Sequence, residues 1–251
     1  MTALLQNRTA LVTGASRGIG AAIAKLFAQH GAAVGVNYRS SKDAAQEVVE
    51  EITRQGGKAI AVQADVLDPQ QVEAMVERVT KELGTIDTLV LNANMPFSIA
   101  PFIKQTWEEF ENKLTGELKA AFYPCQAIVP GMIERQQGCI IAMSSITSRH
   151  ADPSFSAHTT AKSAIDGFVK SLATELGQHN IRVNAIAPGV TLTDPVSKQP
   201  QEWLDQRAKE TPMQRNAQPE DIAGGVLLLA SEPASFITGT YLMINGGSQM
   251  L

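Results

Sequence analysis

The sequence predicts an α/β fold in which helices cover both faces of a doubly wound parallel sheet. Two observations carry this expectation. Short apolar segments alternate strictly with segments of helical periodicity along the 251 residues. The apolar segments are continuous runs without an in–out alternation, as strands buried on both faces require. Neither an internal repeat nor a low-complexity tract interrupts the pattern, and one domain spanning 1–251 is expected.

The elements follow in order. Ala10–Thr13 is a short apolar strand, and Ile19–His30 carries apolar residues at positions 19, 22, 23, 26 and 27, one face of a helix. Ala33–Val36 is a second strand and Lys42–Gln55 a second helix. Ala59–Val62 and Pro69–Leu83 repeat the pair, and Thr88–Leu91 is a fourth strand. A long helix runs from about Trp107 to Met132. Cys139–Met143 is a fifth strand leading into two serines, and Ser156–Leu176 is the next helix. Arg182–Ile186 and Gly239–Ile244 complete seven strands. One composition shift, Thr191 to Glu220, is rich in Pro, Gln and charge and predicts a surface flap at about 191–217 with one short helix.

Composition narrows the function. Hydrophobic content of 44% and charged content of 18% are ordinary globular values. A net charge of −4 without a basic run argues against nucleic acid as a partner. Two cysteines, Cys125 and Cys139, make no disulfide framework, so a cytoplasmic location is expected. No apolar run reaches membrane-spanning length, and the N-terminal residues carry no signal-peptide pattern.

The turn after the first strand is Thr13-Gly-Ala-Ser-Arg-Gly-Ile-Gly20. Gly14 allows a tight turn. Gly18 and Gly20 let backbone approach a pyrophosphate and let helix pack on strand. With Ser16, Arg17 and Ile19 they open a helix whose N-terminus offers free N–H groups to phosphate. After the second strand, Asn37-Tyr38-Arg39-Ser40-Ser41 contains no acid to bond a ribose 2′-hydroxyl. Arg39 and Arg17 suit a 2′-phosphate instead, so the expected cofactor is NADP(H).

These motifs, in this order, resemble the short-chain dehydrogenase/reductase family, and most the ketoacyl-carrier-protein reductase branch. The resemblance spans the whole chain and implies a single Rossmann-type domain. It implies adenine contacts at Asp65 and Val66, and nicotinamide contacts in the Pro188-Gly189-Val-Thr191-Leu-Thr193 loop. Ile237–Gly247 resembles the family's closing strand. Lys162 would hold the nicotinamide ribose, and Ser145 stands at the family's serine position.

The departures cluster at the chemistry. The family places a tyrosine thirteen residues after that serine, and this chain has His158. Where the family has Asn-Asn-Ala-Gly, this chain has Leu91-Asn92-Ala93-Asn94. Asn94 is expected to narrow or reorient the site, using its tolerance of unusual backbone angles. The family's catalytic asparagine falls on Glu117 in one register and near Leu114 in another, with Asn112 two positions off. A solvated Glu117 is the plain alternative.

A neutral imidazole is a poor acid, and an imidazolium beside Lys162 is disfavoured by like charge. A carboxylate at Glu117, paired with Lys162 or His158, is expected to restore a protonated imidazole near neutral pH. The site Ser145-His158-Lys162-Glu117 would then reduce a carbonyl or a conjugated enone. Other readings are non-redox proton transfer (isomerase, dehydratase or cyclase), a Ser-His-acid hydrolase, and an inactive cofactor-bound scaffold. No metal site is expected. Trp203, Leu204 and Met213 are expected to line the flap's inner face, and Met95, Pro96 and Phe97 the opposite wall. They suit a medium-sized, partly apolar small molecule, free or bound to a carrier protein or coenzyme A. The resemblance further implies a homotetramer or homodimer, with which the apolar content of 161–176 and the tail Met250-Leu251 agree.

Overall fold

Residues 3–250 are described in a computed structural model. Met1, Thr2 and Leu251, the last residue of the apolar-ended tail, lie outside the described residues. Seven parallel strands form one sheet: β1 (Thr9–Val12), β2 (Ala33–Tyr38), β3 (Lys58–Gln63), β4 (Thr88–Leu91), β5 (Gly138–Met143), β6 (Ile181–Pro188) and β7 (Tyr241–Ile244). Their order is β3-β2-β1-β4-β5-β6-β7, every neighbouring pair parallel. Strands β1, β4 and β5 are buried throughout, which explains their unbroken apolar sequences.

The helices are α1 (Gly18–Gln29), α2 (Lys42–Arg54), α3 (Pro69–Leu83), α4 (Trp107–Arg135), α5 (Ser156–Leu176), α6 (Asp194–Ser197), α7 (Gln201–Glu210) and α8 (Pro219–Ala230). Two apolar clusters lie on opposite faces of the sheet. One joins α1, α2 and α8 to it, the other α3, α4 and α5. Helix α4 starts at a capping box in which Thr106 and Glu109 satisfy each other's backbone N–H groups. It buries Lys113, Gly116, Glu117, Ala120, Ala121 and Pro124, a stripe at helical spacing that includes two charged residues.

Two expectations need correcting. The flap carries two short helices, α6 and α7, where one was expected. Its ends are tied by the bridge Thr191–Ala217, with Leu192 N–H donating to Ala217 O at 2.8 Å. Helix α8 went unforeseen. Its Ile222-Ala-Gly-Gly-Val-Leu-Leu-Leu run is apolar on nearly every side and has little periodicity. Tertiary packing explains it: a Cβ on Gly225 would stand 2.1 Å from Ile244 Cδ1, so glycine lets α8 press onto β7.

Sheet order positions the site. Between β1 and β4 the winding reverses, leaving a crevice beyond the carboxyl ends of the strands. The glycine loop, the segments after β2, β3, β4 and β5 and the Pro188–Thr193 loop leave strands at that edge, while Glu117 comes from the middle of α4 and Lys162 from the second turn of α5.

Candidate functional site

The glycine loop leaves β1 with Gly14 at φ +60 and Gly18 at φ +55, left-handed backbone that glycine adopts without strain. A Cβ on Gly14 would stand 2.9 Å from Ala93 Cα, so the loop packs backbone to backbone against the turn after β4. A Cβ on Gly20 would stand 2.5 Å from Asn92 Nδ2. That amide donates to Thr13 O at 2.9 Å and Gly14 O at 3.0 Å, and Thr13 Oγ1 accepts from Asn92 N–H and Ala93 N–H. Asn37, buried at the end of β2, accepts from Gly14 N–H at 3.0 Å.

The residues at this loop fit a dinucleotide. Helix α1 has no side-chain cap and no acid in its first turn, so its leading N–H groups and positive dipole end are free for an anion. Arg17 is exposed, reaches Ser41 Oγ, and lies 3.8 Å from Asp194 of the flap. Arg39 and Ser40 are exposed just past the end of β2. Ile19 is half-buried, as is Ser16. Tyr38 departs from expectation: its side chain packs in the core between sheet and helices. Asp65 accepts from Leu67 N–H at 3.0 Å, shaping the turn after β3, and Val66 is buried. After β6, Pro188 and Gly189 lead to Thr191, whose hydroxyl donates to Gly189 O at 3.0 Å. Thr193 Cγ2 would lie 3.2 Å from a Cβ on Gly18, so this loop closes over the glycine loop.

At the centre, Glu117 is 3% exposed and points from α4 to α5. Its Oε2 accepts from Lys162 Nζ at 2.9 Å, and its Oε1 from Lys113 Nζ at 2.5 Å and Met95 N–H at 2.9 Å. Lys162 Nζ also donates to Met143 O at 2.9 Å, joining α5 to the end of β5. Burial pushes the Glu117 carboxyl up, but the charges and bonds of Lys162 and Lys113 outweigh it and hold it down at about 2. Of the two registers, Glu117 is the one that reaches Lys162; Leu114 is half-buried and Asn112 exposed.

Lys113 is the site residue that sequence alone leaves unremarked. Its signal was the four-residue spacing to Glu117 on a face otherwise of small residues. It is fully buried and bonds Asn94 Oδ1 at 2.9 Å and Met95 O at 2.7 Å. Burial, with the Lys162 charge, lowers it to about 8 against the pull of Glu117. Asn94 itself is exposed and does not adopt positive φ, so its role here is to accept from Lys113, not to make a left-handed turn.

His158 is half-buried in aromatic company. Its ring stacks on Phe97 with centroids 4.4 Å apart and 20° between planes, and meets Phe155 edge-on at 6.0 Å. Its buried Nδ1 has no partner among the described residues. Burial lowers its pKa to about 3, aided by Lys162 and Lys113 and opposed by Glu117. The expected protonated imidazole is therefore corrected to a neutral one. Glu117 spends its charge on two lysines, and no hydrogen bond joins it to His158 among the described residues.

Ser145 Oγ accepts from Thr147 N–H at 3.2 Å and from Thr147 Oγ1 at 2.9 Å, which leaves its own O–H free to donate. Its carbonyl accepts from Tyr241 OH at 2.7 Å. Asp166, two helical turns beyond His158 on α5, accepts from Ser144 at 2.5 Å and Ser148 at 2.7 Å. No sequence motif pointed to this Asp166–Ser148–Tyr241 brace. The expected walls also shift. Met95 is buried against Gly116 of α4, Pro96 is exposed, and Phe97 covers His158. In the flap Leu204 is buried, Trp203 is half-buried, and Met213 is 62% exposed near Gly246. No cluster of potential metal ligands occurs among the described residues, and no helix there is long and apolar enough to cross a membrane.

Residues 14–249 match the family model described as enoyl-(acyl carrier protein) reductase. The chain is 36% identical over 244 residues to the 3-oxoacyl-[acyl-carrier-protein] reductase FabG of Staphylococcus epidermidis, covering 97% of this chain and 100% of that one. The 3-oxoacyl-[acyl-carrier protein] reductase structure from Brucella melitensis superposes with a TM-score of 0.93 at 34% identity, covering 100% of this chain and 94% of that chain. A short-chain dehydrogenase from Burkholderia cenocepacia in complex with NADP superposes at 0.88 and 34% identity, covering 98% and 99%. With this likeness along its whole length and the strand order and glycine loop above, the chain belongs to the short-chain dehydrogenase/reductase family, in the branch of the ketoacyl-carrier-protein reductases.

Proposed function

We propose that this chain is an NADPH-dependent reductase of a carbonyl, or a conjugated enone, in a medium-sized, partly apolar substrate, free or as an acyl thioester. The observation that carries the reading is the bond from Lys162 to both Met143 O and Glu117, which holds an ammonium beside the crevice next to a glycine loop open to phosphate. When bound, NADPH supplies the hydride. Arg17, Arg39 and Ser40 hold its 2′-phosphate, and the α1 N-terminus holds its pyrophosphate. Lys162 holds the ribose. The likeness to carrier-protein reductases supports the thioester form.

The substrate oxygen is held by the free O–H of Ser145 and the neutral imidazole N–H of His158. A neutral imidazole polarises a carbonyl as a hydrogen-bond donor without first taking a proton from solvent. Lys162 stabilises the negative charge left on that oxygen, solvent water supplies the proton that completes the alcohol (or, from an enone, the saturated ketone), and Phe97 shields the His158 ring. The flap at 191–217 closes over the substrate from the β6 side. A homotetramer or homodimer packed through α4 and α5 is part of the same proposal, supported by Phe122, 47% exposed on α4. Light scattering that finds one copy in solution would remove it.

The other readings have less support. An imidazole near 3 is a weak base for isomerisation. A hydrolytic triad needs the acid on the histidine, and Glu117 is bonded to lysines. The test is loss of reduced-nicotinamide absorbance with a panel of acyl thioesters, ketones and enones. Turnover that drops at least a hundredfold in His158→Ala is expected for a positioned donor. Undiminished turnover in that variant removes His158 from the mechanism. Product formation without NADPH consumption overturns the reductase reading.

A further inference from the structure

Lys113 has no role in the reaction proposed above, yet it is the most deeply buried cation of the described residues, with no exposed surface. A buried ammonium is costly unless bonded and balanced. Its three donors go to Glu117 Oε1, Asn94 Oδ1 and Met95 O, and it stands 5.0 Å from the centroid of the Phe97 ring. It therefore touches both the acid that bonds Lys162 and the loop whose aromatic covers His158.

Charge explains why it is there. A lone Lys162 would present one positive charge to the reaction centre. Glu117, bonded to it at 2.9 Å, cancels that charge. Lys113 returns it, since two ammoniums and one carboxylate leave a net charge of plus one. We propose that Lys113 is a positioning residue that balances Glu117, so that Lys162 keeps a cationic field at the substrate oxygen, and that it clamps the 94–97 loop so that Phe97 stays stacked on His158. The proposal rests on the reaction centre assigned above.

The charged groups facing His158 are Lys162 on its own helix and Lys113 and Glu117 from α4. Lys113 and Glu117 act on the ring in opposite directions, so removing both should leave its titration where it began. The experiment follows the His158 ring by NMR in the cofactor-free protein, assigned against His158→Gln, in the wild type, Lys113→Met, Glu117→Gln and the double variant. The midpoint should rise by roughly half a pH unit or more in Lys113→Met and return toward the wild-type value in the double variant. An unmoved midpoint in Lys113→Met, or a double variant displaced as far as that single one, overturns the proposal. If Lys113→Met alone does not fold, the double variant must fold and titrate like the wild type, and its failure to do so overturns the proposal equally. No turnover enters the measurement, so an inactive wild type would refute the reductase reading while leaving this charge balance separately readable.

Discussion

Glu117 Oε2 accepts a 2.9 Å hydrogen bond from Lys162 Nζ, a buried ion pair that ties the middle of α4 to the second turn of α5. Breaking one partner of such a pair strands the other in a poor solvent. Here two ammoniums depend on one carboxylate. Glu117→Gln is expected to cost about 3–5 kcal/mol, the usual cost of leaving a buried charge uncompensated. Denaturant unfolding measures it, and a loss under about 1 kcal/mol would mean that the carboxylate carries little of the balance.

Acid should destabilise the protein in two stages. The His158 pKa is about 3 folded against an ordinary 6.5, so between those values the unfolded chain binds the extra proton. Its contribution is complete above 6.5 and is lost as pH falls toward 3. Glu117, at about 2 against 4.5, adds a second loss from about 4.5 downward. His158→Phe should flatten unfolding free energy between pH 6.5 and 4.5 and leave only the Glu117 share of the slope below 4.5. An unchanged upper slope in that variant would place the acid sensitivity elsewhere.

Cofactor choice should rest on Arg17 and Arg39. Arg17 is already poised between Ser41 and Asp194. A charge-assisted bond contributes about 1.5–3 kcal/mol, so Arg17→Ala and Arg39→Ala should each weaken NADPH binding roughly ten- to a hundredfold with little change for NADH. Titration calorimetry with both dinucleotides decides it. Equal weakening of the two would show that the arginines do not act through a 2′-phosphate.

Much of the architecture was legible in local pattern. The continuous apolar runs at β1, β4 and β5 and the glycine spacing after β1 report backbone constraints that neighbouring residues impose on one another. Boundaries moved by one to three residues, as at β6, where pairing with β5 and β7 extends the strand to Ile181–Pro188. Helix α8 was not legible, because a helix pressed between sheet and α1 is apolar on more than one side and loses its periodic signature.

Sequence by itself determined the sheet, the dinucleotide cradle and the identity of the unusual residues, because strand burial and glycine geometry depend on short stretches of chain. Only the tertiary structure decided what those residues are to one another. Glu117 and Lys162 stand 45 positions apart, and which cation the acid would meet depended on how α4 packs on α5. Packing added Lys113 and drew the carboxylate away from His158. The ring is neutral because burial and two nearby ammoniums outweigh one shared carboxylate, a balance set by distances across the fold.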